Sequence, residues 1–240
     1  MSPARTGDAR ETILARVREA LRLPAPPPHL KSHDLEPAPT GGLPVLPLEA
    51  ARPWLPDGGD SADESRRILG ENLTRLKAEL HQVADAAAAA TFLADLARGR
   101  HWKRVAIHGH PLIEAATRNL VCDTERVDAG AFDKDALEAC DAGVTTCEAL
   151  IAQTGSVLVS SATCGGRALS VLPHVHVVVA TANQVVPTLG DALDAARDRH
   201  AGRLPSMLSF ITGPSRTGDI ERILVLGAHG PKELLILLVG

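Results

Sequence analysis

The chain has 240 residues, a net charge of −4, 45% hydrophobic residues and only 2% aromatic ones, with no tyrosine. That length supports one large α/β domain, or a domain plus an extension, with a core built from Leu, Val, Ile and Ala. The acidic balance and the scarcity of aromatic rings exclude a general nucleic-acid binder and a base-stacking platform.

No apolar run is long enough to span a bilayer. The N-terminus carries Asp8 and Glu11 and lacks the apolar core of a secretion signal, so a cytoplasmic location is expected. The four cysteines, Cys122, Cys140, Cys147 and Cys164, form no C-x-x-C pair and match neither a zinc nor an iron–sulfur spacing. Free, mostly buried thiols are expected.

Asp8-Ala9-Arg10-Glu11 has the spacing of a capping box, and Ile13, Leu14, Val17 and Leu21 follow at helical spacing. This first helix ends before Pro24. Ten of the 17 prolines lie between Pro24 and Pro56, which marks an extended linker or a surface belt. Leu43, Val45, Leu46, Leu48, Trp54 and Leu55 are apolar enough to pack on the main domain. The expected division is therefore 1–60, a helix plus a Pro-rich segment, and 61–240, the α/β domain.

Ser61-Ala62-Asp63-Glu64 is a second capping box, and Leu69, Leu73, Leu76 and Leu80 continue on one helical face. A third helix covers the Ala86–Ala90 run to Gly99. A β/α rhythm begins at Arg104, with a strand to His108, a helix from Pro111 to Leu120 and another from Asp133 to Cys140. Strands are expected at 149–152, 156–160, 176–180, 208–212 and 234–239, with a helical turn at 169–172 and a helix over 187–200. Runs of Val and Leu without polar alternation predict strands covered on both faces. The result is a doubly wound, largely parallel sheet, with ligands beyond the carboxyl ends of its strands.

Four loops carry chemistry-bearing residues. His108-Gly109-His110 lacks a third ligand for a metal, and no metal site is expected. Gln153-Thr154-Gly155-Ser156 reads as a bend with glycine at positive φ. Thr163-Cys164-Gly165-Gly166-Arg167 lets the backbone approach a ligand and offers a guanidinium for a carboxylate or phosphate. Gly213-Pro214-Ser215-Arg216-Thr217-Gly218-Asp219-Ile220-Glu221 reads as a strand end that passes hydroxyls, an arginine and free N–H groups to a short helix, a natural anion seat. His229, between small residues, is a candidate proton-transfer group. His174 and His176 flank Val175, and one of them is expected to be structural. Arg167, Arg216 and His229 are expected in one cationic pocket, with Asp219 or Glu148 as acid or base.

Several of these segments recur together in one known family. Thr154-Gly155-Ser156, Gly166-Arg167-Ala168-Leu169-Ser170-Val171-Leu172-Pro173, His176, Gly213-Pro214-Ser215-Arg216-Thr217, Asp219-Ile220-Glu221 and His229-Gly230-Pro231 resemble the LUD domain family, in its lactate-utilisation protein C (LutC/YkgG) branch. The resemblance covers about residues 61–240. It implies a NagB/RpiA/CoA-transferase-like α/β fold with a largely parallel sheet. It also implies a part in bacterial oxidation of L-lactate to pyruvate beside partner proteins that carry the iron–sulfur clusters, with no cofactor in this chain. Many members have Glu where this chain has Gln153, so no catalytic base is assigned there. The expected ligand-binding residues are Thr154, Gly155, Ser156, Gly165, Gly166, Arg167, Gly213, Ser215, Arg216 and Thr217; the catalytic candidates are His229, Asp219 and Glu148. Two alternatives stay open: an isomerase- or transferase-type enzyme on a small anionic or CoA-linked substrate, with Glu148 as nucleophile or base, and a non-catalytic scaffold.

Overall fold

A computed structural model describes residues 11, 14–16, 18, 19, 56–127, 133–218, 224–226 and 230–240, with only the backbone of 216–218 and 224–226. Residues 1–54 and 55–240 form separate compact units. In the first, the described residues are helical and exposed, as the capping box predicts. The remainder of that helix and the Pro-rich belt up to residue 55 lie outside the described residues.

The second unit begins with α1 (Ala62–Arg75), capped by Ser61, whose side chain accepts from the Glu64 N–H at 3.2 Å. The Glu64 carboxylate reaches back to the Asp60 N–H. Leu69 and Leu73 are fully buried, each removal from water contributing roughly 1.5–3 kcal/mol. The helix does not run on to Leu80. Leu76 is its C-cap, Lys77 takes a left-handed φ of 62°, and the Ala78 N–H returns to the Leu73 carbonyl. That closure satisfies the last carbonyls and turns the chain into a strand. Leu80 therefore belongs to β1 (Glu79–Val83) and still packs on the same core.

The chain continues as α2 (Ala86–Gly99), β2 (Arg104–Ile107), α3 (Pro111–Thr117), β3 (Asp123–Arg126), α4 (Lys134–Glu138), β4 (Ala142–Thr145), β5 (Ala149–Ile151), β6 (Ser156–Ser160), α5 (Gly166–Leu169) and β7 (Val175–Thr181). A 3₁₀ turn at Ala182–Gln184 leads to β8 (Val185–Val186), α6 (Leu189–Arg199), β9 (Leu208–Ile211), β10 (Arg216–Gly218), β11 (Leu224–Leu226) and β12 (Glu233–Val239). Six strands form a wholly parallel sheet in the order β1-β12-β7-β4-β2-β3. The α/β class and the parallel sheet are as expected.

Three of these strands escape the sequence pattern. β1 and β3 are polar edge strands, and β4 is only four residues long, so none presents a long apolar run. A second, four-stranded sheet, β8-β5-β6-β9, was also not anticipated. Its apolar face packs on one side of the parallel sheet, where Leu150, Val157 and Val159 meet Val178, Ala180, Ile236 and Leu238. α2 and α3 cover the other side against Val177, Val179, Leu235 and Leu237. α6 closes the outside of the small sheet through Ala192 and Ala196. The stretch from Arg216 is also not a helix start: β10 pairs antiparallel with β11, Thr217 opposite Val225.

Candidate functional site

The connections leaving β2 and β4 part company. After β2 the chain passes to α3, whose Ile113 and Ala116 pack on one face of the sheet. After β4 it enters the small sheet on the opposite face. A crevice opens at such a reversal, beyond the carboxyl ends of the strands. Here it measures about 300 Å³ and is lined by His110, Leu112, Thr146, Cys147, Thr163, Thr181, Asn183, Gln184 and Arg199.

Its order comes from a buried carboxylate. Glu148, 1% exposed, accepts from Arg199 Nη1, from the Thr163 hydroxyl and from His200 Nε2 at 2.9 Å. Burial by itself would raise its pKa; the donors around it, Ser160, Thr163, His200 and Arg199, outweigh that and hold it at about 2. The group is therefore ionised and fully engaged near neutral pH. Arg199 Nη1 also donates to the Glu148 carbonyl. Its Nη2–Nε edge has no partner among the described residues, and its side chain is 42% exposed.

The rest of the cleft is uncharged and rich in hydrogen-bonding groups. His110 caps α3 by accepting from the Leu112 N–H, and burial lowers its pKa against the pull of Glu114. His108 accepts from the Thr146 N–H through Nε2. Gln184 bridges the Thr181 N–H and the Cys147 carbonyl. Burial raises the thiols of Cys147 and Cys164, which keeps both protonated. Among the described residues no cluster of three or more His, Cys, Asp or Glu side chains is placed to hold a metal.

A second cavity, of about 230 Å³, lies over the parallel sheet near the amino ends of β7 and β12. Arg167, Ser170, Val171, His176, Ser209, Phe210, Ile211, Gly213, Pro214, Ser215, Gly230, Pro231 and Leu234 line it. His176 is 1% exposed, its Nε2 sits 2.8 Å from Thr145 Oγ1, and its Nδ1 has no hydrogen-bond partner among the described residues. Burial depresses its pKa to about 4, so the ring is neutral. An orphaned buried polar atom of this kind costs about 1–3 kcal/mol.

The residues expected to share one pocket are thus divided. Arg167, Gly213 and Ser215 meet at the amino-end cavity. Glu148 stands behind the carboxyl-end cleft, and the two linings have no residue in common. Arg167 and Glu148 therefore share no cavity. Gly165 and Gly166, both at positive φ, shape the turn into α5 beside His108. Thr154, Gly155 and Ser156 form the β5–β6 hairpin and line neither cavity. Gly155 has φ +64°, and a Cβ there would stand 2.9 Å from Asn72 Cβ, so the bend is pressed against α1. Ser156 Oγ joins Thr154 and Thr212 in a hydroxyl chain. Gln153 gives its amide to the Pro56 carbonyl, a structural use. Arg216 and Thr217 are described only as backbone; Asp219 and His229 lie outside the described residues.

Sequence reasoning passed over Arg199 and did not separate His176 from His174. Arg199 sits in an ordinary helix end. A histidine within a β-branched run was a usable signal, but alternation sent His174 to the same face. In the structure His174 precedes the strand and is exposed.

The LUD domain model matches residues 67–239. The chain is 35% identical over 105 residues to the lactate utilization protein C of Bacillus subtilis (strain 168), covering 43% of this chain and 44% of that protein. It is 37% identical over 106 residues to the lactate utilization protein C of Deinococcus radiodurans, covering 43% and 49%. The chain thus spans about half the length of the curated relatives it matches. A crystal structure of a DUF162 family protein from Deinococcus radiodurans superposes with a TM-score of 0.59 at 24% identity, over 76% of this chain and 100% of that one. That likeness concerns the fold alone. With a family match across nearly all of the α/β unit, the chain belongs to the LUD domain family.

Proposed function

We propose that this protein is a component of a system that oxidises L-lactate to pyruvate, and that it binds a small anion in the carboxyl-end cleft. The two electrons released from lactate pass to partner proteins that carry iron–sulfur clusters; this chain contributes binding and orientation. The names of the relatives, lactate utilization protein C, support the reading.

One observation carries the site: a half-exposed Arg199 whose position is set by a buried, fully bonded Glu148 at the sheet's reversal point. The open Nη2–Nε edge of the guanidinium suits a carboxylate in bidentate fashion. Thr163, Thr181 and Asn183 supply hydrogen bonds for a neighbouring hydroxyl or carbonyl. Glu148 acts as a positioning residue here. A carboxylate held at about 2 and ringed by hydrogen-bond donors is a poor base and a poor nucleophile, which weighs against the isomerase or transferase alternative.

The test is lactate-dependent dye reduction by the purified partners with and without this chain. Omission of the chain is expected to abolish turnover, and Arg199→Gln to reduce it by about tenfold or more. Undiminished rates in both cases refute the proposal.

A further inference from the structure

The two sheets end in different ways at their rims. At the rims of the parallel sheet, β1 carries Glu79 and His81, and β3 carries Asp123, Glu125 and Arg126; such charges discourage a further strand. In the small sheet, β8 is only two residues long and lies against α1. The opposite rim is β9, Leu208-Ser209-Phe210-Ile211, and no charged side chain occurs from Leu204 to Ser215.

The β9 rim is open. The Ser161 N–H donates to the Met207 carbonyl at 3.0 Å, so by alternation Ser209 and Ile211 also turn their backbone groups towards β6. Leu208 and Phe210 then direct N–H and C=O away from β6, and among the described residues these groups form no backbone hydrogen bond. The β10–β11 hairpin that follows pairs only with itself among the described residues. The side chains at the rim are bare as well. Phe210 stands opposite Leu158, on the face that α6 covers through Ala192 and Ala196. α6 lies over β5 and β8, however, and Phe210 at the rim stays 40% exposed.

The sequence of this rim reads alike in both directions from Ser209. Leu208 and Phe210 are apolar, Met207 and Ile211 are apolar, and Ser206 and Thr212 both carry hydroxyls. The open backbone groups, those of Leu208 and Phe210, are symmetric about the same residue. We propose that β9 pairs antiparallel with β9 of a second copy of this chain, about a two-fold axis at Ser209. In that register Leu208 lies opposite the partner's Phe210, and Phe210 opposite the partner's Leu208. Their open N–H and C=O groups form about four backbone hydrogen bonds across the axis. Phe210 gains an apolar neighbour on the face that α6 leaves bare, Met207 meets the partner's Ile211 on the other face, and the two serines face each other. The contact is isologous, brings no like charges together and joins the two small sheets into one. This match in both directions is a property of self-pairing, which is why the occupant is a second copy and not a strand of another protein.

Sedimentation equilibrium of the full chain is expected to show a reversible dimer with a dissociation constant on the order of 10 µM. Phe210→Lys, a change at an exposed side chain, is expected to weaken it about tenfold or more by charging the rim. Ser209→Cys is expected to yield a covalent dimer in air, seen on a non-reducing gel. The two copies of position 209 form a non-hydrogen-bonded pair with Cα atoms about 4.5 Å apart, within reach of a disulfide. Ser206→Cys, whose two copies stand roughly 20 Å apart in this register, is expected to stay uncrosslinked. The wild-type chain, with Cys140, Cys147 and Cys164 buried, sets the background. A chain that is monomeric at about 100 µM overturns the inference and leaves the rim to a strand of a different protein. A dimer as tight in Phe210→Lys as in the wild type, or one that Ser209→Cys fails to crosslink, overturns it too. The crosslink decides the matter if Phe210→Lys does not fold. These readouts are independent of lactate turnover, which reads the Arg199 cleft.

Discussion

His176 on β7 and Thr145 on β4 meet across adjacent parallel strands, Nε2 to Oγ1 at 2.8 Å, and both are buried. Their contact joins the end of β4, next to the carboxyl-end cleft, to the start of β7, beneath the other cavity. Thr145→Val keeps the shape and removes the hydroxyl. It leaves Nε2 unpartnered beside an already orphaned Nδ1, and an expected loss of about 1–3 kcal/mol is measured by urea unfolding.

The same histidine gives a pH signature. Its folded pKa, about 4, lies below the ordinary 6.5, because burial disfavours the cation. Between these values the unfolded chain binds more protons, so this contribution is full above pH 6.5 and is lost as pH falls towards 4. His176→Leu is expected to flatten the stability–pH curve in that window, by roughly 3 kcal/mol at its acid end. Urea midpoints of the two proteins at matched pH check it.

Glu148 produces a separate, more acidic step. Its folded pKa of about 2 is depressed from 4.5, so its contribution is present above pH 4.5 and is lost as pH falls towards 2. Glu148→Gln is expected to remove that step and to cost about 1–3 kcal/mol at neutral pH, because Arg199 and His200 lose a charged acceptor. It is also expected to weaken L-lactate binding by freeing Arg199 from its set orientation. Calorimetric titration with lactate separates this effect from the stability loss, which unfolding measures.

Gly155 tests whether the β5–β6 bend serves structure. Its φ of +64° and the 2.9 Å approach of a hypothetical Cβ to Asn72 Cβ both oppose a side chain. Gly155→Ala is expected to destabilise the fold by about 2–4 kcal/mol, from backbone strain and overpacking against α1. Lactate affinity of the folded fraction is expected to stay at the wild-type value. A loss of that affinity in a fully folded variant would return this hairpin to the binding machinery.

Much of the fold was legible because it rests on local physics. The cap at Ser61, Pro111 at the first turn of α3, and the β-branched run of β7 are short-range signals whose cost is settled within a few residues. The motif segments around Arg167, Ser215 and Gly230-Pro231 likewise announced the family and gathered at one cavity. Polar edge strands such as β3 carry no such pattern, because their pairing partner supplies the stabilisation.

The sequence by itself determined the α/β class, the family and the residue types able to hold an anion. The tertiary structure decided which of those residues meet. Whether a loop lies at the carboxyl or the amino end of a parallel sheet depends on strand order and crossover direction, which are long-range properties. That is why Glu148 and Arg167, 19 positions apart, lie near different cavities. Burial made the final distinction: one histidine, unremarkable in a Val-rich strand, lost its access to water when the small sheet packed over it.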